Sequence, residues 1–304
     1  MKVYLAGERS GSEDFDPANP PDDHWIRWTK RRLFSYYYHG FQNHNMPTRD
    51  VDATRGLGLD MFLDSGAFTA FSKGAVIDVD RYAEYIHRTN DYWTVNSCLD
   101  AIGDAQGSWD NLKALESQGC NVAPVFHCRE DVSWLVKYLD HGYDYILLGG
   151  MVPESTRWLH DWLDWLWGDY LTNDDGTPRV KVHGFGLTDQ FLMFRYPWYS
   201  VDSSSWLMTG IFGSCVFSRP EGLRKIVFSE DSPDAKRWTS WHYDRLTPAQ
   251  QAEIRTWIAK YNITPDQLAQ SYKYRDTINA ATFTEMEPRG AKTFHNEMKG
   301  LFDA

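Results

Sequence analysis

Short apolar runs alternate along the chain with stretches whose apolar residues recur at helical spacing. The runs predict β-strands at residues 3–6, 61–64, 94–99, 122–126, 145–148, 180–183, 199–201 and 225–228. The intervening stretches predict helices at residues 80–92, 109–118, 131–139 and 154–170. Such alternation is typical of a parallel sheet built from βα units, and eight strands are the number of a (β/α)8 barrel. The pattern therefore predicts an α/β fold of the TIM-barrel type.

Two parts of the chain depart from this alternation. Residues 8–59 predict a long first βα loop, irregular apart from one helix at residues 25–38 that lies over the barrel mouth. After residue 230 the pattern becomes helical, and Thr247 and Thr264 each precede a proline and stand three residues before a glutamine. That spacing predicts two capped helix starts. We expect a single domain over residues 1–304, with the barrel in 1–230 and a helical C-terminal appendage in 231–304.

Composition narrows the protein class. Apolar residues make up 42% of the 304 residues, which permits a sizeable core. No run approaches the roughly 18 uninterrupted apolar residues of a membrane helix, and the N-terminal residues show no signal-peptide layout. We therefore expect a cytoplasmic protein without membrane contact, located in the host cytoplasm if a phage encodes it. The four cysteines form no Cys-x-x-Cys pair, which predicts buried reduced thiols and no metal site.

Net charge bears on possible partners. The formal charge of −11 counts against a protein with an overall basic nucleic-acid footprint. Local basic clusters nevertheless occur, and one contains Arg219, Arg224 and Lys225. These side chains either contact phosphates or form surface ion pairs with the abundant carboxylates.

The predicted strand ends carry the candidate chemistry, because reactive groups of α/β barrels lie where strands end. Asp64, Asp100 and Asp202 each follow an apolar strand directly. Carboxylates in a shared barrel mouth act as nucleophile, general acid or base, or hydrogen-bond acceptor. The alternative is that each aspartate only caps the helix that follows it.

Glycines and histidines also follow the strands. Gly149 and Gly150 either let a flat ligand approach the backbone closely or form a tight turn. The Gly-x-Gly that begins at Gly184 lacks the third glycine of a dinucleotide fingerprint. His127 and His183 stand apart from other metal-ligand residue types, so we expect hydrogen-bonded histidines rather than metal ligands.

Five motifs follow one another in a familiar order. They are FLDSGAFTAF with Asp64, Ser65 and Gly66; NSCLD with Asp100; LLGGMVPE with Gly149 and Gly150; HGFGLT with Gly184 and Phe185; and YSVDSSSW with Asp202. In this order the chain resembles the tRNA-guanine transglycosylase superfamily, particularly its zinc-less, phage-type DNA 7-deazaguanine transglycosylases. The resemblance covers about residues 60–206, roughly half of the chain.

The resemblance implies a pentosyltransferase that exchanges guanine in a nucleic acid for a 7-deazaguanine base, with no cofactor. It implies that Asp202 is the nucleophile and that Asp64 moves protons. It further implies a base pocket formed by Ser65, Gly66, Asp100, His127, Gly149, Gly150, Gly184 and Phe185. The target base must leave the stack, and aromatics of the first loop, such as Trp25, Trp28 and those at 36–38, are candidates to fill its place.

Departures from the family pattern affect the expected polymer. The superfamily's Cys-x-Cys-x-x-Cys zinc cluster is absent, Ala67 replaces a glycine, and His127 stands where a glutamine is usual. The missing zinc cluster and the short C-terminal region favour DNA over tRNA, with Arg219, Arg224 and Lys225 as phosphate contacts, whereas Ala67 and His127 bear on the base pocket. The alternatives are a tRNA-guanine transglycosylase, a nucleoside or DNA glycosylase that uses water, and a non-catalytic nucleic-acid-binding barrel. A homodimer or a partner protein remains open.

Overall fold

A computed structural model of the chain describes residues 1–7, 24–152, 154–187, 189–219, 222–237 and 239–295. The chain divides into two compact units. The first unit comprises Met1–Tyr4, Arg31–Asp202 and Arg289–Ala304, and the second comprises Leu5–Lys30 and Ser203–Pro288. The expected division into a barrel in residues 1–230 and an appendage in 231–304 stays a prediction.

An eight-stranded, all-parallel curled sheet with accompanying helices gives an α/β fold. Its strands are β1 (Lys2–Ala6), β2 (Arg31–Ser35), β3 (Asp60–Asp64), β4 (Val95–Asn96), β5 (Val125–His127), β6 (Tyr145–Gly149), β7 (Lys181–Gly184) and β8 (Ser200–Ser203). They lie in the order β4-β3-β2-β1-β8-β7-β6-β5. The helices of this part are α1 (Tyr36–His39), α2 (Arg49–Gly56), α3 (Ala67–Ser72), α4 (Val79–Arg88), α5 (Ala105–Ser117), α6 (Ser133–Asp140), α7 (Thr156–Leu166) and α8 (Gln190–Arg195).

Continuous apolar runs produce this sheet, because both faces of a parallel sheet are covered and its strands are buried on both sides. All five residues of β6 are buried, as are Met61, Phe62 and Leu63 in β3. Seven of the predicted strands overlap strands of the sheet, and the four predicted helices correspond to α4, α5, α6 and α7. Helix α7 buries an apolar stripe that contains Leu159, Leu163 and Leu166.

The prediction of a single helix within the first long connection was wrong. Residues 25–38 were expected to be one helix, but the chain forms a short 3-10 helix at Trp25–Trp28 and then β2. Strand β2 pairs in parallel with β3 and supplies the eighth strand of the sheet. Residues 8–23 of the predicted loop lie outside the described residues.

The last predicted strand, at residues 225–228, was also placed in the wrong sheet. Most of it belongs to β10 (Gly222–Val227), which pairs antiparallel with β9 (Ser214–Arg219) in a separate two-stranded sheet. A short antiparallel ribbon satisfies its own backbone hydrogen bonds locally and needs no crossover helix.

A parallel bridge links the two edges of the eight-stranded sheet. Ser97, just after β4, pairs with Ala123, just before β5. The N–H of Cys98 donates to the carbonyl of Ala123 over 2.8 Å, and the N–H of Ala123 donates to the carbonyl of Asn96 over the same distance. The two edge strands therefore share backbone hydrogen bonds.

The second unit combines the two-stranded sheet with helices. They are α9 (Ser205–Ile211), α10 (Pro233–Arg237), α11 (Pro248–Ile258), α12 (Pro265–Gln270) and α13 (Tyr272–Glu285). Both predicted capping boxes are confirmed, at Thr247 with Gln250 and at Thr264 with Gln267. Helix α13 is buried along most of its length, and its Asn279 accepts from the backbone N–H of Val216 in β9 over 2.8 Å.

Candidate active site

Several predicted site residues lie at the carboxyl-terminal ends of the parallel strands, on the same side of the sheet. Asp64 ends β3, His127 ends β5, and Asp202 lies in β8. Strand register places His127 beside Gly149, and Leu148 beside Gly184. Reactive groups of α/β barrels lie at these strand ends, so the arrangement forms a candidate active site within the first unit.

Asp64 is a carboxyl group with a raised pKa at the end of β3. Burial raises its pKa to about 8, and the charges of Asp100 and Asp202 add to the rise. Close carboxylates disfavour one another's ionisation. The three predicted aspartates are therefore near enough to interact, and Asp64 holds a proton at neutral pH.

Close contacts and hydrogen bonds fix the backbone conformation of the segment after Asp64. Gly66 has a left-handed backbone with φ of 73°, and a Cβ there would lie 2.4 Å from the Oγ of Ser35. Only glycine meets both conditions. Its N–H donates to Oδ2 of Asp64 over 3.2 Å. The buried Ser65 donates from its backbone N–H to the Oγ of Ser97 over 2.7 Å.

Asp100 is held by two neighbours. The Oγ of Ser65 donates to its Oδ1 over 3.0 Å, and Nε2 of His127 lies 2.9 Å from its Oδ2. Each carboxylate oxygen has two lone-pair directions. Asp100 therefore keeps acceptor capacity for a ligand while its orientation is set by the protein.

His127 lies between two carboxylates. Its Nδ1 is 3.0 Å from Oε1 of Glu130, opposite the contact with Asp100. Burial lowers the pKa of His127, but the hydrogen bonds and charges of Asp100 and Glu130 outweigh burial and raise it to about 10. His127 is therefore an imidazolium at neutral pH, and both of its ring nitrogens are engaged within the protein.

Glu130 was not identified from the sequence. The backbone N–H of Glu130 donates to the carbonyl of His127 over 3.0 Å, and the side-chain Oε2 of Glu130 accepts from the backbone N–H of His127 over 3.1 Å. The signal was present, because a carboxylate three residues after a strand-end histidine reaches back across a tight turn.

Asp202 is buried, with 6% of the residue exposed. Its Oδ1 accepts from the backbone N–H of Gly186 over 2.8 Å, and Nε2 of His183 lies 3.3 Å from the same oxygen. Gly186 adopts a left-handed backbone with φ of 63°. The second glycine of the HGFG motif thus serves to direct an N–H at Asp202.

A buried hydrogen-bond chain lies behind Asp202. Nδ1 of His183 is 2.6 Å from the Oγ of Ser200, which is also hydrogen-bonded to the hydroxyl of Tyr145. Burial lowers the pKa of His183 more than the Asp202 carboxylate raises it. His183 is a hydrogen-bonded histidine, as the sequence predicted. Its link to Asp202, and the roles of Ser200 and Tyr145, were missed.

The remaining pocket residues have packing explanations. A Cβ at Gly149 would lie 2.8 Å from the ring of His127, and one at Gly184 would lie 3.1 Å from the ring of Trp198. Phe185 packs with its ring centroid 4.7 Å from that of His183. Gly150, with φ of 72°, completes the turn after β6.

The predicted phosphate contacts lie in the second unit. Arg219 pairs with Glu253 over 2.8 Å, and Lys225 pairs with Asp234 over 2.6 Å. The guanidinium of Arg224 stacks on Trp241 at 4.4 Å, and among the described residues its buried Nε has no hydrogen-bond partner.

Other basic and aromatic side chains are packed within the protein. Arg275, a basic residue of the C-terminal region, is buried and donates to the carbonyls of Gly210 and Leu268. Tyr36, considered as a base-replacing wedge, is buried and donates to Asn45 over 2.7 Å. Trp28 packs against Tyr261. Burial therefore removes Arg275 and Tyr36 from contact with a nucleic acid.

All four cysteines are buried and unpaired, as predicted. Within the described ranges, no three His, Cys, Asp or Glu side chains are grouped to hold a metal ion. None of the helices in that part of the chain is both long and apolar enough to cross a bilayer. Neither a protein-family model nor a curated protein sequence matches the chain.

Proposed function

We propose that the curled sheet closes as a (β/α)8 barrel and that the chain is a guanine transglycosylase, which exchanges guanine in DNA for a 7-deazaguanine base. The observation that carries this proposal is the group of three aspartates at the carboxyl-terminal end of the sheet, in which burial and the charges of Asp100 and Asp202 raise the pKa of Asp64 to about 8. Two carboxyl groups kept in different protonation states supply a nucleophile and an acid at the same pH.

In the first half-reaction, a carboxylate oxygen of Asp202 attacks C1′ of the target nucleotide. The bond from C1′ to N9 breaks, its electron pair passes to the guanine, and Asp64 gives the departing base its proton. The negative charge of Asp202 stabilises the oxocarbenium character of the transition state. The product is a glycosyl-enzyme ester with the polymer backbone intact.

In the second half-reaction, the incoming 7-deazaguanine replaces guanine in the same pocket. The Asp64 carboxylate takes the proton from N9 of the new base, N9 attacks C1′, and the ester bond to Asp202 breaks. Both carboxyl groups return to their starting states. The cycle needs no oxidant, reductant or cofactor.

Asp100 serves recognition in this scheme. Its oxygens retain lone pairs beyond those used by Ser65 and His127, and they accept hydrogen bonds from the N1–H and amino groups that guanine and 7-deazaguanines share. The His127 imidazolium stabilises the ionised form of Asp100 and thereby its acceptor role. We accordingly assign His127 to positioning Asp100.

DNA is the polymer that we propose, with tRNA as the less favoured substrate. Arg224 is the phosphate contact that the structure leaves most available, because Arg219 and Lys225 already pair with carboxylates. A net charge of −11 is compatible with a small number of phosphate contacts.

The decisive experiment measures incorporation of isotopically labelled guanine into single-stranded DNA, duplex DNA and tRNA. Wild type is compared with Asp202→Asn and with Asp161→Asn, in which an exposed carboxylate is changed. We expect label in DNA with wild type and Asp161→Asn, and a loss of at least about a thousandfold with Asp202→Asn.

Other outcomes of the experiment separate the alternatives. Label in tRNA alone changes the polymer, and abasic sites without label identify a hydrolase. No reaction in any sample refutes base exchange and leaves a nucleic-acid-binding barrel.

A further inference from the structure

The exchange scheme uses Asp202 but not the buried side chains behind it. His183 and Ser200 are both fully buried, and strand register places them side by side in β7 and β8. They connect the hydroxyl of Tyr145 to Oδ1 of Asp202 through three successive hydrogen bonds. Fully satisfied buried polar chains orient their members.

The direction of the hydrogen bonds follows from the donor inventory. A carboxylate only accepts, so Nε2 of His183 must carry the hydrogen that meets an ionised Asp202. In a neutral imidazole Nδ1 then accepts, and the Ser200 hydroxyl must donate to it. Ser200 in turn accepts from Tyr145. The opposite direction would set a bare Nε2 against the carboxylate.

The two oxygens of Asp202 are therefore in different environments. Oδ1 receives the N–H of Gly186 and faces Nε2 of His183. No donor among the described residues contacts Oδ2. An oxygen with two hydrogen bonds has less electron density available for attack than one without.

We propose that His183 is a positioning residue, which as the neutral Nε2–H tautomer fixes Oδ1 of Asp202 and leaves Oδ2 as the attacking oxygen. The Asp202 carboxylate selects that tautomer, and Ser200 and Tyr145 complete the hydrogen-bond chain behind it. The part concerning attack rests on the proposed transglycosylase function, whereas the tautomer is a property of the protein alone.

The tautomer is tested by NMR of ¹⁵N-histidine-labelled protein, in which long-range proton–nitrogen correlations distinguish Nε2–H from Nδ1–H imidazole. The signal is assigned by its loss in His183→Gln. We expect neutral Nε2–H for His183 in wild type at pH 7, and the same tautomer in Ser200→Ala, because the Asp202 carboxylate still requires a donor. An Nδ1–H tautomer or an imidazolium in wild type overturns the proposal, whether or not the protein exchanges bases.

The consequence for catalysis is tested by labelled-guanine incorporation. His183→Leu removes the donor and is expected to lower the rate about a hundredfold, as small misplacements of reacting groups do. His183→Gln keeps an N–H near the position of Nε2 and is expected to recover most of that loss. His141→Gln, at an exposed histidine, is expected to match wild type.

Two results contradict the positioning role. One is a His183→Leu variant with the wild-type rate, and the other is a folded His183→Gln variant as slow as His183→Leu. If His183→Leu does not fold, Ser200→Ala provides the comparison, with a rate loss expected and an unchanged rate contradicting the proposal. If wild type exchanges no base at all, the proposed function fails, and the NMR result decides the tautomer independently.

Discussion

Removing the charge of His127 gives the sharpest energetic test of the site. This imidazolium lies between Asp100 and Glu130, and only 14% of its side chain is exposed. Its pKa rises from 6.5 to about 10 in the folded protein. One pKa unit corresponds to about 1.4 kcal/mol, so the folded state favours the protonated form by on the order of 5 kcal/mol.

The expected cost of His127→Leu follows from this value. Removing one partner of a buried ion pair leaves uncompensated charge and costs about 3–5 kcal/mol. We therefore expect His127→Leu to lower the free energy of unfolding at pH 6 by about 3–5 kcal/mol. The exposed His141 provides the matched control, and His141→Leu is expected to stay within about 0.5 kcal/mol of wild type.

The direction of the pKa shift determines how the stabilisation by His127 changes with pH. Because the pKa of His127 is raised on folding, its contribution is fully present below pH 6.5 and is lost as the pH rises towards 10. The difference between wild type and His127→Leu should shrink to about 1–2 kcal/mol by pH 9.

Urea unfolding at pH 6 and pH 9 measures this difference, and an NMR titration of the His127 ring measures the pKa directly. A difference under about 1 kcal/mol at pH 6, or one unchanged at pH 9, would refute the reasoning.

Asp64, Gly66 and Arg224 provide three further predictions. Because the pKa of Asp64 is raised to about 8, the stability of wild type should fall more steeply between about pH 4 and pH 8 than that of Asp64→Asn, in which only the contribution of His127 declines above pH 6.5. Urea unfolding across this range measures the two curves, and parallel curves would count against the buried acid. Gly66→Ala should cost at least about 2 kcal/mol in unfolding free energy, against about 1 kcal/mol for Gly74→Ala, since both have positive φ but only Gly66 lacks space for a Cβ; equal losses would contradict the steric argument. Arg224→Glu should weaken DNA binding and reduce the slope of log affinity against log salt concentration by about 0.9 in magnitude for a duplex. Lys260→Glu, at an exposed lysine, is the control. An unchanged slope in Arg224→Glu would move the phosphate contact elsewhere.

Much of the sheet could be predicted from the sequence, because apolar runs of strand length report burial directly. Strands β3 and β6 are continuous apolar segments ended by Asp64 and by Gly149. Since parallel strands present their carboxyl ends at one edge, the pattern also predicted that Asp64 and Asp202 share a site. The capping boxes at Thr247 and Thr264 were predictable because their hydrogen bonds are local.

Strand β2 shows what the local pattern missed. Its sequence, RRLFS, begins with two arginines and has only Leu33 and Phe34 as apolar residues, which is too short a run to indicate a period. Arg32 is nevertheless buried, donates to the Oγ1 of Thr54 over 3.3 Å and stacks on Phe34 at 4.3 Å. Partners distant in sequence allow a charge inside the sheet, so no window of residues around Arg32 predicts it.

The finer chemistry of the site was decided by tertiary structure. The sequence by itself determined the residue types at the strand ends, including Asp100, Asp202 and both histidines. Which histidine meets which carboxylate depends on strand register and on the sheet's curl, since His183 reaches Asp202 across adjacent strands and His127 lies 27 residues beyond Asp100. The shifted pKa values depend on burial and on charges brought together from distant segments, and these exist only in the folded protein.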